Sequence, residues 1–239
     1  HIEFTGAEDY TSICACFDLL FEHIHQHHQR FTIKFAPSFH FQNISDHIGM
    51  VLKNLDKVTL TEDCNQSMVI TNGIDVVDNF GRSNRRIYRK LERNGYVVRR
   101  SNTLLAEGYA LLEENRQNRN VTLSLSYDAL EAQVQKLHGY FHFFECRTAN
   151  DMLNAYAVTL KLSSDWLYVF YWGEKLSDRK SSPIVILAAE IMRYCQQENI
   201  TRLDAGTSSV AGIVDQTLFD FKRRLGFMPS PKLVLCACS

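Results

Sequence analysis

No run of apolar residues in this chain of 239 reaches the roughly 18–20 that a membrane-spanning helix needs. No secretory signal pattern opens it. It has no Cys-x-x-Cys pair and no His-Glu-x-x-His, which removes the common zinc and thiol-redox signatures. Low-complexity segments and short-period repeats are absent, so solenoids and disordered tails are not expected. A surplus of charge is missing too. Twenty-six Lys and Arg stand against 27 Asp and Glu, a formal net charge of −1. The molecule as a whole is therefore no magnet for nucleic acid or anionic lipid, and any anion site must come from local charge. Seven cysteines (Cys14, Cys16, Cys64, Cys146, Cys195, Cys236 and Cys238) are an odd number scattered through apolar runs. This reads as buried thiols in a reducing compartment, so a cytoplasmic location is expected. The chain starts at His1 without a methionine, which points to a longer natural chain.

What is present is ordinary globular composition, 45% hydrophobic and 22% charged. Apolar spacing predicts helices over Tyr10–His28, Asn43–Leu55, Asp75–Asn94, Thr103–Asn115, Tyr127–His138, Pro183–Glu198 and Asp215–Leu225. Strands are predicted over Phe31–Phe35, Val58–Leu60, Ser67–Thr71, Tyr96–Arg100, Tyr140–Cys146, Leu153–Leu162, Trp166–Trp172, Ile200–Asp204 and Leu233–Cys238. A turn is expected near Asp63–Asn65. Three consecutive antiparallel strands, followed by helix, strand, helix and strand, imply a mixed sheet covered on both faces. The fold class is therefore α/β (α+β). The first 72 residues repeat the back half of that order. The expected organisation is a partial first unit (1–72) and a complete second unit (73–239).

Charge is concentrated at one place. Arg82, Arg85, Arg86, Arg89, Lys90, Arg93, Arg99 and Arg100 face only Glu92. Their three- to four-residue spacing puts a basic stripe on one helical face, suited to phosphate or RNA; a solvated face is the plain alternative. His23 and His27 share a face at i, i+4, but nothing completes a ligand set, and no metal site is expected.

Four pieces, taken in order, resemble the FemAB-like (BioF2-like) branch of the N-acetyltransferase (GNAT) superfamily, from Phe80 to Phe227. They are Arg85-Arg86-Ile87-Tyr88-Arg89-Lys90 with Asn94-Gly95, Phe170-Tyr171-Trp172-Gly173, Arg202-Leu203-Asp204-Ala205-Gly206, and Phe219-Asp220-Phe221-Lys222 leading to Leu225-Gly226-Phe227. Residues 1–72 are similar to the tail of that family's first repeat. The resemblance implies a GNAT-like mixed sheet flanked by helices. It implies transfer of an acyl or aminoacyl group to an amine, from acyl-coenzyme A or aminoacyl-tRNA, with cell-envelope or polysaccharide metabolism as the expected setting. Two features of the family are absent. No Arg precedes Tyr127 in Leu123–Tyr127, and no heptad run suggests a coiled-coil arm.

The expected catalytic pair is Lys222 and Asp204. Amide formation builds negative charge on a carbonyl oxygen, and a fixed ammonium stabilises it. The resemblance gives Lys222 that role; a surface lysine beside Arg223 and Arg224 is the plain alternative. Asp204 ends a strand, where ligands gather in open α/β sheets, and can orient Lys222 or accept the amine proton. A turn-capping carboxylate is its alternative. Tyr171 and Trp172 are candidate pocket walls or core edge. Ser181 and Ser182, ahead of Pro183, are candidate phosphate ligands, with Ser182 as a simple N-cap the alternative. The Arg/Gln-x-x-Gly-x-Gly/Ala loop of coenzyme A users is absent there, and Arg179 and Lys180 are partial substitutes. Arg85, Arg89, Tyr127 and Phe221 complete the binding candidates. No Cys-His or Ser-His-Asp arrangement stands out, which favours direct attack over a covalent intermediate. Two non-enzymatic readings stay open. One is a catalytically degenerate relative binding RNA or nucleotide; the other is a scaffold using the partial first unit.

Overall fold

The computed structural model describes residues 10–27, 30–37, 58–118, 121–178 and 180–238. The helix expected over Asn43–Leu55, and Arg179, lie outside the described residues. The helices are α1 (Tyr10–His27), α2 (Arg82–Arg93), α3 (Ala106–Gln117), α4 (Tyr127–Lys136), α5 (Ile184–Gln197) and α6 (Gln216–Arg224). The strands are β1 (Arg30–Lys34), β2 (Val58–Val69), β3 (Val97–Ser101), β4 (Phe141–Arg147), β5 (Leu153–Ser163), β6 (Trp166–Glu174), β7 (Arg202–Thr207), β8 (Ser209–Val210), β9 (Ile213–Val214) and β10 (Met228–Cys238). Two compact units result. The first comprises 1–66, 207–219 and 229–239; the second comprises 67–206 and 220–228.

In the first unit β1 pairs antiparallel with β10, from Arg30↔Cys238 to Lys34↔Val234. Thr61 of β2 donates its hydroxyl to Val234 O at 3.3 Å. The apolar face of α1 (Ile13, Phe17 and Phe21) packs with Phe35 and Leu235. β2 was expected as two strands around a turn at Asp63–Asn65, but it is one strand. The polar residues that read as a turn are buried instead, and each has a partner. Asp63 Oδ1 accepts from the Ser209 hydroxyl at 2.8 Å and from Gly212 N at 3.0 Å. Gln66 donates to Phe219 O at 3.2 Å and accepts from the Ser208 hydroxyl at 2.6 Å. Buried polar groups are tolerated where they are satisfied in this way.

The second unit is built on the order β7-β6-β5-β4-β3. Its β3–β4, β4–β5 and β5–β6 pairs are antiparallel and β6–β7 is parallel, with α5 as the crossover. Strand alternation sends Phe144 and Leu167 to one face, where they pack with Leu91 of α2 and Ile191 of α5. It sends Phe143 and Tyr156 to the other, against Leu111 and Leu112 of α3 and Leu130 of α4. Both faces are covered, and the mixed α/β class read from the sequence is observed. The predicted helix from Asp75 is shorter. The Asp75 side chain accepts from Val77 N and caps a 3-10 turn over Val76–Asn79, and α2 starts only after Gly81.

Candidate active site

The ladder between β6 and β7 is brief. Trp166, Leu167 and Tyr168 pair with Arg202, Leu203 and Asp204, and there the ladder stops. Both strands continue, β6 to Glu174 and β7 to Thr207. On its other edge β6 shifts register between Val169 and Tyr171 against β5, so Phe170 bulges. A bulge beside a ladder that ends early re-aims side chains and opens a fork at the carboxyl end of the parallel strands.

Gly206 is the hub of that fork. Its φ is +73°, and a Cβ there would lie 3.4 Å from the Tyr168 hydroxyl. Only glycine takes this backbone so close to the phenol without strain. The Lys222 Nζ donates to Gly206 O at 2.9 Å, and Gly206 N donates to Asp204 Oδ1 at 2.8 Å. Lys222 is only 2% exposed and Asp204 only 3%. A lysine is almost never buried to this degree without polar partners, so the surface-lysine reading is set aside.

α6 places Lys222 through its own amphipathicity. Asp215 caps the helix at Leu218 N (3.0 Å), while Arg223 pairs outward with Asp220. Phe221 and Leu225 meet the apolar core on the α2–α5 side of the sheet. The Tyr168 hydroxyl has its pKa pushed up to about 12. Burial is the main cause, the Asp204 carboxylate and Tyr171 add to it, and Arg116 of α3 opposes. The phenol stays protonated at neutral pH and remains a hydrogen-bond donor.

The expected residues divide into groups. Lys222 and Asp204 meet at Gly206. Trp172 and Phe221 pack edge to face at 6.0 Å, with Phe227 a further 6.2 Å contact of Trp172, so these rings form one wall. Tyr171 points to the opposite face of β6. Its hydroxyl pairs with the Ser124 hydroxyl and accepts from Leu125 N at 3.1 Å, anchoring the 121–126 segment. Tyr127 opens α4 and stacks edge to face on Tyr109 at 5.5 Å. Ser181 and Ser182 are half-buried ahead of α5. Ser182 has φ +50° and Pro183 occupies the N-cap, so Ser182 is not the side-chain cap expected. Arg85 is half-buried and Arg89 exposed on α2; neither has an ion pair among the described residues. The start of α2 meets the end of α6 through Gly81 N to Arg224 O, 2.8 Å.

Sequence reasoning missed Tyr168, which depends on a strand register spanning 36 positions, and Glu174, whose carboxylate accepts from Ile184 N ten positions on. No alternation in the sequence marks Tyr168, because the bulge at Phe170 turns Trp172 to the opposite face of the sheet from Phe170. Among the described residues no group of three or more His, Cys, Asp or Glu is placed to hold a metal ion. No helix among them is long and apolar enough to cross a membrane.

No known family profile matches the chain, and no curated protein matches it by sequence. Solved structures do, and the fold they share with this chain is the mixed-sheet fold of FemX and of GNAT proteins. The crystal structure of FemX aligns over 95% of this chain and 77% of its own length, at 16% identity and a TM-score of 0.68. The L-PGS of Bacillus licheniformis aligns over 92% and 71%, at 10% identity and a TM-score of 0.60. A tandem GNAT protein of the clavulanic acid biosynthesis pathway aligns over 95% and 69%, at 10% identity and a TM-score of 0.51. The likeness is one of fold, and it agrees with the resemblance carried by the four sequence pieces.

Proposed function

We propose that this chain is an acyltransferase that moves an acyl or aminoacyl group from an activated donor to an amine. The observation that supports it most is the buried Lys222, held on Gly206 O at the mouth of the β6–β7 fork. In this reading the amine nitrogen attacks the donor carbonyl carbon directly and the new C–N bond forms. Negative charge collects on the carbonyl oxygen, where Lys222 stabilises it as an ammonium. Asp204 takes the amine proton, directly or through water. The C–O or C–S bond to the leaving group then breaks, and the leaving group recovers a proton. Tyr168 donates a hydrogen bond beside Gly206, while Trp172 and Phe221 wall the acyl group, backed by Phe227 in the core.

The donor is either acyl-coenzyme A or aminoacyl-tRNA, and the cations of α2 suit a polyanionic carrier. The acceptor is a small-molecule or peptide amine, and the scattered thiols favour a cytoplasmic setting. The test is direct. Purified protein is incubated with a pool of charged tRNAs or with acetyl-coenzyme A and a panel of primary amines, and new amides are read by mass. Amide formation above the protein-free rate is expected with one donor. A folded protein that forms none with either donor would remove the enzymatic reading.

A further inference from the structure

Glu174 ends β6 and is held there from several sides. It pairs with Ala155 in the β5 ladder. The amide of Asn115 donates to its carbonyl at 2.8 Å, and Lys175 N donates to Asn154 O at 2.8 Å. A Cβ on the preceding Gly173 would sit 3.2 Å from Asn115 and Leu112, so the strand end is closely packed on α3. From this fixed position the carboxylate reaches the start of α5, where Glu174 Oε2 accepts from Ile184 N at 3.3 Å.

The start of α5 has no side-chain cap of its own. Its N-cap is Pro183, which carries no side-chain acceptor, and its first turn holds no acidic residue. Val185 N and Leu187 N are taken by Ser182 O and Pro183 O, at 3.0 and 3.2 Å. A helix start carries free N–H groups and partial positive charge, and it attracts phosphate. Here a carboxylate of the chain itself already meets that demand, at the carboxyl end of the strand that forms the fork.

We infer that Glu174 is a specificity-determining residue that closes the α5 start to diphosphate-bearing donors. It fills the α5 helix start beside the end of β6, and its negative charge repels a second anion. The donor accepted is then one whose leaving group brings no diphosphate to this point, an acyl ester rather than a coenzyme A thioester. This rests on the reading that the β6–β7 fork receives the donor.

The experiment is anion binding, which needs no turnover. Wild type, Glu174→Gln and Glu174→Ala are titrated with inorganic pyrophosphate and with coenzyme A. Binding is followed by calorimetry and by hydrogen-exchange protection of the Ile184–Leu187 amides. Thermal unfolding confirms that each variant is folded. Both variants are expected to bind pyrophosphate roughly tenfold more tightly than wild type, with protection localised to those amides. In wild type neither ligand is expected to add protection there. Protection of Ile184–Leu187 by coenzyme A in wild type would overturn the inference, and so would affinities in both variants within twofold of wild type. Either result would leave the role of Lys222 untouched. Loss of the Lys222 role would likewise leave the anion titration unchanged.

Discussion

At the scale of single residues the structure is unforgiving where glycine meets ring or phenol. A Cβ on Gly108 would lie 2.5 Å from the ring carbons of Tyr156. That ring is fully buried, and its hydroxyl accepts from Leu105 N at 3.1 Å, so it has nowhere to go. Alanine in the middle of a helix gains about 1 kcal/mol of propensity over glycine. Overpacking of a closed core costs about 1–3 kcal/mol. Packing wins, so Gly108→Ala should lower the urea midpoint despite sitting in α3.

His142 gives a pH signature. It is buried, with Nδ1 3.2 Å from the Asn102 side-chain oxygen and its ring 5.0 Å from that of Tyr194. Burial, then Arg100 and Lys161, hold its pKa below the ordinary 6.5, against a smaller opposing effect of Glu198. The unfolded chain therefore takes up the proton at higher pH than the folded one. This contribution to stability is fully present above the unfolded value of 6.5. It is lost as pH falls from there through the lower folded value. Urea midpoints measured across that window should fall for wild type and fall less for His142→Gln. Equal slopes would contradict the assignment.

At the scale of elements, period and caps made most helices and strands legible. The Tyr127 and Gln216 helices begin within a residue of expectation, and so does the strand at Trp166. The errors have a common cause, polar residues satisfied by distant partners. Asp63–Asn65 reads as a turn because the hydrogen-bond partners of Asp63 lie beyond residue 200 in the chain, as does the Ser208 partner of the neighbouring Gln66. The β8–β9 hairpin was invisible for the same reason. Its Ala211 and Gly212 take φ of +51° and +78°, and its Val210 and Ile213 stand 79% and 78% exposed. It has little apolar burial to hold it and depends on Asp63. Leaving a buried donor such as the Ser209 hydroxyl without its acceptor costs about 1–3 kcal/mol, and Asp63 also serves Gly212 N. Asp63→Ala should speed amide exchange over Ser209–Val214 while exchange in α5 stays unchanged. Faster exchange in both would mean that Asp63 supports more than the hairpin.

Of the candidate site, Lys222, Asp204, Trp172 and Phe221 come from the segments that carry the family resemblance, and the structure brings Lys222 and Asp204 to Gly206 and Trp172 and Phe221 into contact. Tyr168 and Glu174 were not legible in the sequence. Each acts through a partner set by strand register or by a helix start ten positions away. Tyr171, expected as a pocket wall or core edge, is a core residue on the α3 side of the sheet. Which face it served depended on the bulge at Phe170, which no pattern in the sequence marks.

At the scale of the molecule, the architecture is that of FemX and its structural relatives at low identity, so the fold places the fork and this chain's own residues must carry the chemistry. The second unit contains the whole of the Lys222, Asp204, Gly206 and Tyr168 cluster. The measurement that tests the central claim is the transfer rate of Lys222→Met against wild type, under saturating donor and amine. Methionine keeps much of the buried volume and removes the charge, so the fold should survive where alanine would leave a cavity. A loss of about a hundredfold or more in kcat with KM little changed is predicted, as for removal of a group that acts on transition-state charge. Wild-type kcat in a folded Lys222→Met protein would contradict the account.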